Sequence, residues 1–206
     1  MVCVKIVSNV VKNLYIFGED IIGSVRRLGL ITFRLAMVLS ALRLHDTGEV
    51  VTTLICDDED FQSAMGIARI ERANTWCRQL GKKNVCLISI HTNAAGNGKQ
   101  WMTARGWCCY TSRGQTAGDR LATCLYEAAS LYLPGHKLRK DYSDGDPDWE
   151  SDFYILKNTL CAAALSENLF HDNADDLAFL ESAPGRQAII DLHVRGIISF
   201  VNAYSK

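Results

Sequence analysis

Short runs of β-branched and apolar residues alternate along this chain with longer stretches of helical periodicity, and that alternation restricts the fold more than any other feature. Residues 49–56 (EVVTTLIC) and 84–91 (NVCLISIH) read as strands, the second too continuously apolar to leave either face to water. Further strands are expected at 14–17, 106–112, 153–156 and 160–167. Helices are expected at 21–44, 60–80, 115–133, 174–182 and 186–204. Asp60 is a good N-cap for the second helix and Gly81 its stop signal. Strands that alternate with helices predict an α/β fold: a mixed, mostly parallel sheet of about six strands with helices on both faces.

The 206 residues, 48% hydrophobic and 22% charged, suit one structural domain with a core that needs no staples. The net charge of −1 argues against a general nucleic-acid binder. Charge is uneven, with six Lys/Arg against two acids in residues 1–43 and sixteen against twenty-one in residues 44–206. No uncharged apolar run reaches the ~18 residues of a membrane span, so no integral membrane segment is expected. Residues 28–42 are interrupted by Arg34 and start too far from Met1 for a signal peptide. The eight cysteines form no CxxC pair and read as free core thiols. The expectation is a protein made in the cytoplasm.

In open α/β sheets, ligands bind beyond the carboxyl ends of the strands. His91 follows one strand end, Glu167 closes another, and Glu19 with Asp20 follows a third. Asp144, Asp146, Asp148 and Glu150 alternate as in a calcium loop. An EF-hand, however, needs Gly at position 6 and Glu at position 12, and those positions hold Trp149 and Ile155. Residues 141–152 therefore read as a solvated acidic loop. Cys108-Cys109 has no neighbouring histidine in sequence and gives no thiol-hydrolase signal.

Five segments in order resemble the zinc-dependent N-acetylmuramoyl-L-alanine amidase family. Ser89-Ile90-His91-Thr92-Asn93-Ala94 is similar to its histidine motif, and Ala164-Leu165-Ser166-Glu167-Asn168-Leu169-Phe170 to the strand that ends in its glutamate. Arg72-Ala73-Asn74, the loop from Leu138-Arg139 to Asp148-Trp149, and His193-Val194-Arg195-Gly196-Ile197 also fit. The similarity covers about residues 49–206, the amidase-like part, while residues 1–48 form an atypical N-terminal segment supplying the first strand and helix. The resemblance implies one catalytic zinc (Zn2+) and hydrolysis of the amide between N-acetylmuramic acid and L-alanine in peptidoglycan or a muropeptide. It implies His91 as a zinc ligand and Glu167 as the catalytic general acid/base, because zinc keeps one position open for water and a carboxylate can shuttle that water's proton. Asn93 and Arg139 are expected to bind substrate.

The family takes two more ligands from its N-terminal part, a histidine in a Gly-His-Gly turn and a glutamate on the next helix. Here Gly18-Glu19 stands where Gly-His is expected, and no acidic residue occurs between Asp20 and Asp46. Glu19 is the best-placed substitute ligand, with His171 next. His45, His136 and His193 are less suited by position. Two readings follow: a monomeric peptidoglycan amidase acting on the cell wall, or a degenerate amidase-like domain that binds wall fragments without cleaving them.

Overall fold

The structure, a computed structural model, describes residues 2–8, 50–54 and 67–204, with side chains over residues 70–203. Its strands are β1 (Val2–Ser8), β2 (Val50–Leu54), β3 (Val85–Asn93), β4 (Cys108–Thr111), β5 (Trp149–Glu150) and β6 (Ala162–Phe170). Its α-helices are α1 (Ile67–Leu80), α2 (Ala117–Tyr132), α3 (Tyr154–Lys157), α4 (Ala174–Glu181) and α5 (Ala183–Tyr204). The strands form one sheet in the order β2-β1-β3-β6-β4-β5. All neighbours run parallel except β4 against β6. The expected mixed, mostly parallel sheet is found.

Alternation along the central strands divides the core. Cys86, Ile88 and Ile90 of β3, with Ala162 and Ala164 of β6, pack against Leu121 and Leu125 of α2 and Ile189, Leu192 and Ile197 of α5. Leu87, Ala163 and Leu165 face the other way, towards Ala73 of α1 and Leu156 of α3. Helices thus cover both faces, as an apolar central strand requires. Local chemistry sets the helix ends. Thr116 caps α2 with Asp119 in a reciprocal capping box, and Asn173 caps α4 by accepting from Asp175 and Asp176 N–H groups. Gly196 lets α5 approach α2, since a Cβ there would sit 2.7 Å from Leu125 Cδ2. Among the described residues no helix is long and apolar enough to cross a membrane.

Two expectations need correction. Residues 153–156 are not a strand but the start of α3, whose Leu156 and Lys157 N–H groups bond to Phe153 O. Phe, Tyr and Ile favour strands, yet β6 already has β3 and β4 on its two edges. The acidic stretch 141–152 is not wholly solvated: it contributes β5 and buries Asp148. The strand beside β3 is Val2–Ser8, whereas the expected strand at 14–17, the helix at 21–44 and Glu19 lie outside the described residues.

His193 of α5 is a satisfied core histidine, 0% exposed. Its Nδ1 lies 2.7 Å from Ile189 O, and a carbonyl can only accept, so Nδ1 carries the proton and Nε2 accepts from Ser166 Oγ at 2.8 Å. Burial pushes the imidazole down to about 4 from an ordinary 6.5. The unfolded chain therefore takes up a proton that the folded chain refuses between those values, and stability contributed by neutral His193 is lost as pH falls through that window, on the order of 3 kcal/mol in all. Glu167 and Asp148, whose carboxyls are raised, work in the opposite direction, so the effect is a difference. Urea denaturation of the parent and of His193→Gln at pH 7.5 and about pH 4.5 should show the parent's advantage shrinking at the lower pH. An advantage unchanged with pH would rule out this assignment.

Candidate active site

His91 and Glu167 come together by register. They are directly paired partners on the parallel strands β3 and β6, and Cys108 of β4 is paired with Glu167 from the other side. All three share the alternation that sends Leu87, Leu165 and Tyr110 to the α1–α3 face. A row of imidazole, carboxyl and thiol therefore crosses three adjacent strands.

The row sits beside a break in the sheet. Beyond the His91–Glu167 pair the ladder resumes at Asn93–Phe170, so β6 spends one more residue than β3 over this stretch. Leu169 takes up the bulge with φ of 63°, an uncommon conformation for a residue with a side chain. The Asn168 amide repairs the break. Its Nδ2 donates to His91 O at 2.9 Å and to Ser166 Oγ at 3.1 Å, and its Oδ1 accepts from Trp107 Nε1 at 2.8 Å. With His193 behind Ser166, a satisfied buried network runs from α5 to the backbone of His91.

Two buried aspartates organise the loops above this edge. Asp172 Oδ2 accepts from Ala95 and Gly96 N–H groups, at 2.8 and 2.7 Å. Asp176 Oδ2 accepts from Gly106 and Phe170 N–H groups, both at 3.0 Å. Carboxylates that accept backbone N–H bonds fix loop positions strongly.

Glu167 is the chemically exceptional member. Its Oε2 is shielded from water and has no hydrogen-bond partner. Burial raises its carboxyl to about 8, against the opposing pull of the nearby Arg139 charge. Such a group exchanges protons near neutral pH. Cys108 is pushed up to about 12, again mainly by burial, and is a neutral thiol rather than a nucleophile.

The other expected residues are distributed around this pair. The Nε2 of His91 lies 2.8 Å from Ser89 Oγ, which orients the ring along β3. Arg139 is half-buried, not an arginine loose in solvent: its guanidinium lies over Trp149 (5.7 Å) and Phe170 (5.1 Å), and its NH1 nitrogen reaches Cys108 Sγ at 3.9 Å. Asn93 closes β3, its Oδ1 accepting from Ala94 N–H and its carbonyl from His171 N–H. His171 is tied by Nδ1 to Thr92 Oγ1 at 3.1 Å; Thr92 alternates to the face opposite His91. Sequence reasoning missed Cys108 and Tyr110 as neighbours of Glu167; only the antiparallel register of β4 brings them there. Asn168 was visible in its motif but not its task.

The family model for N-acetylmuramoyl-L-alanine amidase matches residues 30–199, beginning earlier than the 49–206 read from the motifs. An endolysin of Bacillus phage SPP1 is 29% identical over 161 residues, 77% of this chain and 52% of the relative. The chain thus spans about half the length of that curated relative. The catalytic domain of the amidase CwlV from Bacillus (Paenibacillus) polymyxa var. colistinus superposes with a TM-score of 0.72 at 15% identity, covering 98% of this chain and 99% of that one. The amidase Ami1 of Mycobacterium smegmatis gives 0.70 at 18% identity, and AmiC2 of Nostoc punctiforme 0.67 at 20%, each covering 98% of this chain and 97% of the other. At these identities the superpositions establish the shared fold.

Proposed function

The chain belongs to the N-acetylmuramoyl-L-alanine amidase family, and from that premise we propose that it is a peptidoglycan hydrolase cleaving the amide between N-acetylmuramic acid and L-alanine with Glu167 as its proton carrier. The observation behind this reading is a half-buried carboxyl whose shielded Oε2 has no hydrogen-bond partner, raised to about 8, in register beside an imidazole. No other described carboxyl stands on that row.

The donor set suits zinc, which takes imidazole and carboxylate ligands. His91 would supply the imidazole. Glu19 is proposed as a second ligand. When bound, zinc supplies Lewis-acid polarisation of the scissile carbonyl and an acidified water. Glu167 accepts a proton as water adds to the carbonyl carbon, then passes it to the departing amine of L-alanine as the C–N bond breaks. Two products leave, a carboxylic acid on the sugar and a free amine on the peptide. Arg139, braced between Trp149 and Phe170, presents a planar fork suited to a stem-peptide carboxylate, and Asn93 offers an amide at the end of the same strand as His91. The proposed partner is a muropeptide or the cell wall itself, met by a monomer made in the cytoplasm, with no role for nucleic acid.

Three outcomes are expected. Glu167→Gln should keep the fold and lower amide cleavage by ~10²–10⁴-fold in a muropeptide digestion; retention of most of the parent rate would remove Glu167 from the mechanism. Arg139→Ala should raise KM for peptide-bearing substrate more than it lowers kcat, and Arg139→Lys should rescue it only in part, because lysine keeps the charge but loses the fork and the stacking. Unchanged kinetics in both would assign Arg139 a purely structural place. By chelator competition the parent should hold about one zinc per chain, more weakly after His91→Ala and after Glu19→Ala. If the Glu19 variant binds zinc like the parent, Glu19 is not a ligand; His171, tied to Thr92 on the face opposite His91, is not the substitute. A chain that binds muropeptide but neither holds zinc nor cleaves would be the wall-binding domain instead.

A further inference from the structure

A second carboxylate group stands on the other face of the sheet. Asp119 in the first turn of α2, with Asp146 and Asp148 just before β5, each offers an oxygen within 4.8 Å of the others. Two oxygens that bind one ion at about 2.4 Å can be no more than about 4.8 Å apart, so this spacing lets one calcium-sized ion reach all three. Thr111 joins the group, its hydroxyl donating to Asp148 Oδ2 at 2.5 Å. Thr111 and Cys109 share one alternation of β4, and Cys109 packs with the α2–α5 core, so the group lies across the sheet from Glu167.

A cluster of acids alone would mean little. Asp148 makes the difference: it is 2% exposed, and its Oδ1 is cut off from water with no hydrogen-bond partner. Among the described residues no ion pair reaches Asp119, Asp146 or Asp148. The Asp119 oxygens accept from Thr116 N–H and Oγ1, at 2.6 and 2.8 Å, which uses one lone pair of each and leaves the others for a further partner. A buried, unpaired carboxylate oxygen beside two more carboxylates is a costly arrangement unless something positive completes it.

We propose that Asp119, Asp146 and Asp148 bind a hard divalent cation of the calcium class, and that this ion fastens the loop before β5 to the start of α2. All the donors are oxygens, the set that suits calcium better than zinc. The ion is distinct from the zinc proposed at His91, and its effect reaches the active-site side through the chain. Trp149 follows Asp148 directly and donates from Nε1 to Arg139 O at 3.3 Å, and Tyr126 of α2 donates to the same carbonyl at 2.7 Å. Holding Asp148 thus steadies Trp149, one of the two side chains that grip the Arg139 carbonyl.

The test uses the full chain loaded with zinc, titrated with calcium chloride and, in parallel, magnesium chloride by calorimetry and thermal melting. Calcium at about a hundred times its Kd should raise Tm by roughly 5–10 °C, and magnesium should do less. Tryptic cleavage after Lys140 should slow when calcium is added. Asp148→Asn should abolish the shift. Asp146→Asn, which leaves the Thr116–Asp119 cap of α2 intact, should weaken calcium binding by about tenfold or more. Glu167→Gln should keep the full shift, which separates this site from the proposed catalytic one. The proposal is overturned if calcium up to about 10 mM, above the range of weak extracellular calcium modules, gives neither heat nor a Tm rise. It is equally overturned if both aspartate variants bind calcium like the parent, or if Asp148→Asn alone stabilises the chain while calcium does nothing to the parent, for then a proton completes the group.

Discussion

The Asn168 side chain closes a gap that the sheet itself cannot close. Where β6 spends an extra residue beside His91, backbone pairing lapses, and a buried carbonyl without a partner would cost about 1–3 kcal/mol. The amide donates to that carbonyl, accepts from the Trp107 indole and leans on Ser166, which in turn is held by His193. One side chain therefore ties β3, β6 and the residue that leads into β4, with α5 joined through Ser166. Because every member of this network is satisfied, it specifies the bulge instead of merely tolerating it. The bulge fixes where β6 ends its pairing, and so where Glu167 stands relative to His91.

That placement explains the chemistry of Glu167 without any special residue beside it. Desolvation and the positive charge of Arg139 oppose each other, and desolvation wins. Arg139 is itself committed to two aromatic faces and a thiol, so its charge is near but not delivered as a direct bond to the carboxylate. An intimate Arg–Glu pair would keep the carboxylate ionised and useless as an acid; the more distant arginine leaves it able to hold and release a proton near neutrality. The two sheet faces thus divide the labour, with the rigid polar network on the α5 side and the reactive row on the α1 side.

Much of this was legible in the chain. Alternating strand and helix signals gave the α/β architecture, and the Ser-Ile-His and Ser-Glu-Asn segments named the two residues that the register then pairs. What escaped is non-local. Residues 153–156 have strand-forming side chains, yet they make a helical turn whose Leu156 packs against Ala163 and Leu165 of β6. Cys108 joins the row through an antiparallel pairing that no local pattern announces. The alternating aspartates of residues 144–150 failed the single-loop calcium pattern because the third carboxylate, Asp119, comes from a helix far away in sequence. Motif reading sees contiguous ligands; folding can assemble them from separate elements.

Asp148 and Glu167 make the same point from opposite sides of the sheet. Each has one shielded carboxyl oxygen lacking a hydrogen-bond partner, Asp148 within a buried residue and Glu167 within a half-buried one, and in each desolvation is the leading cause of a rise to about 8. Their neighbours separate them. Around Asp148 stand a hydroxyl donor and two further carboxylates, a group that gains from a small positive ion. Around Glu167 stand an imidazole, a neutral thiol and an offset guanidinium, all on the row that faces the loop edge where Asn93 and Arg139 emerge. The same desolvation therefore yields a fastening point in one place and a proton carrier in the other, and what decides between them is the charge of the residues that strand register and helix capping bring alongside.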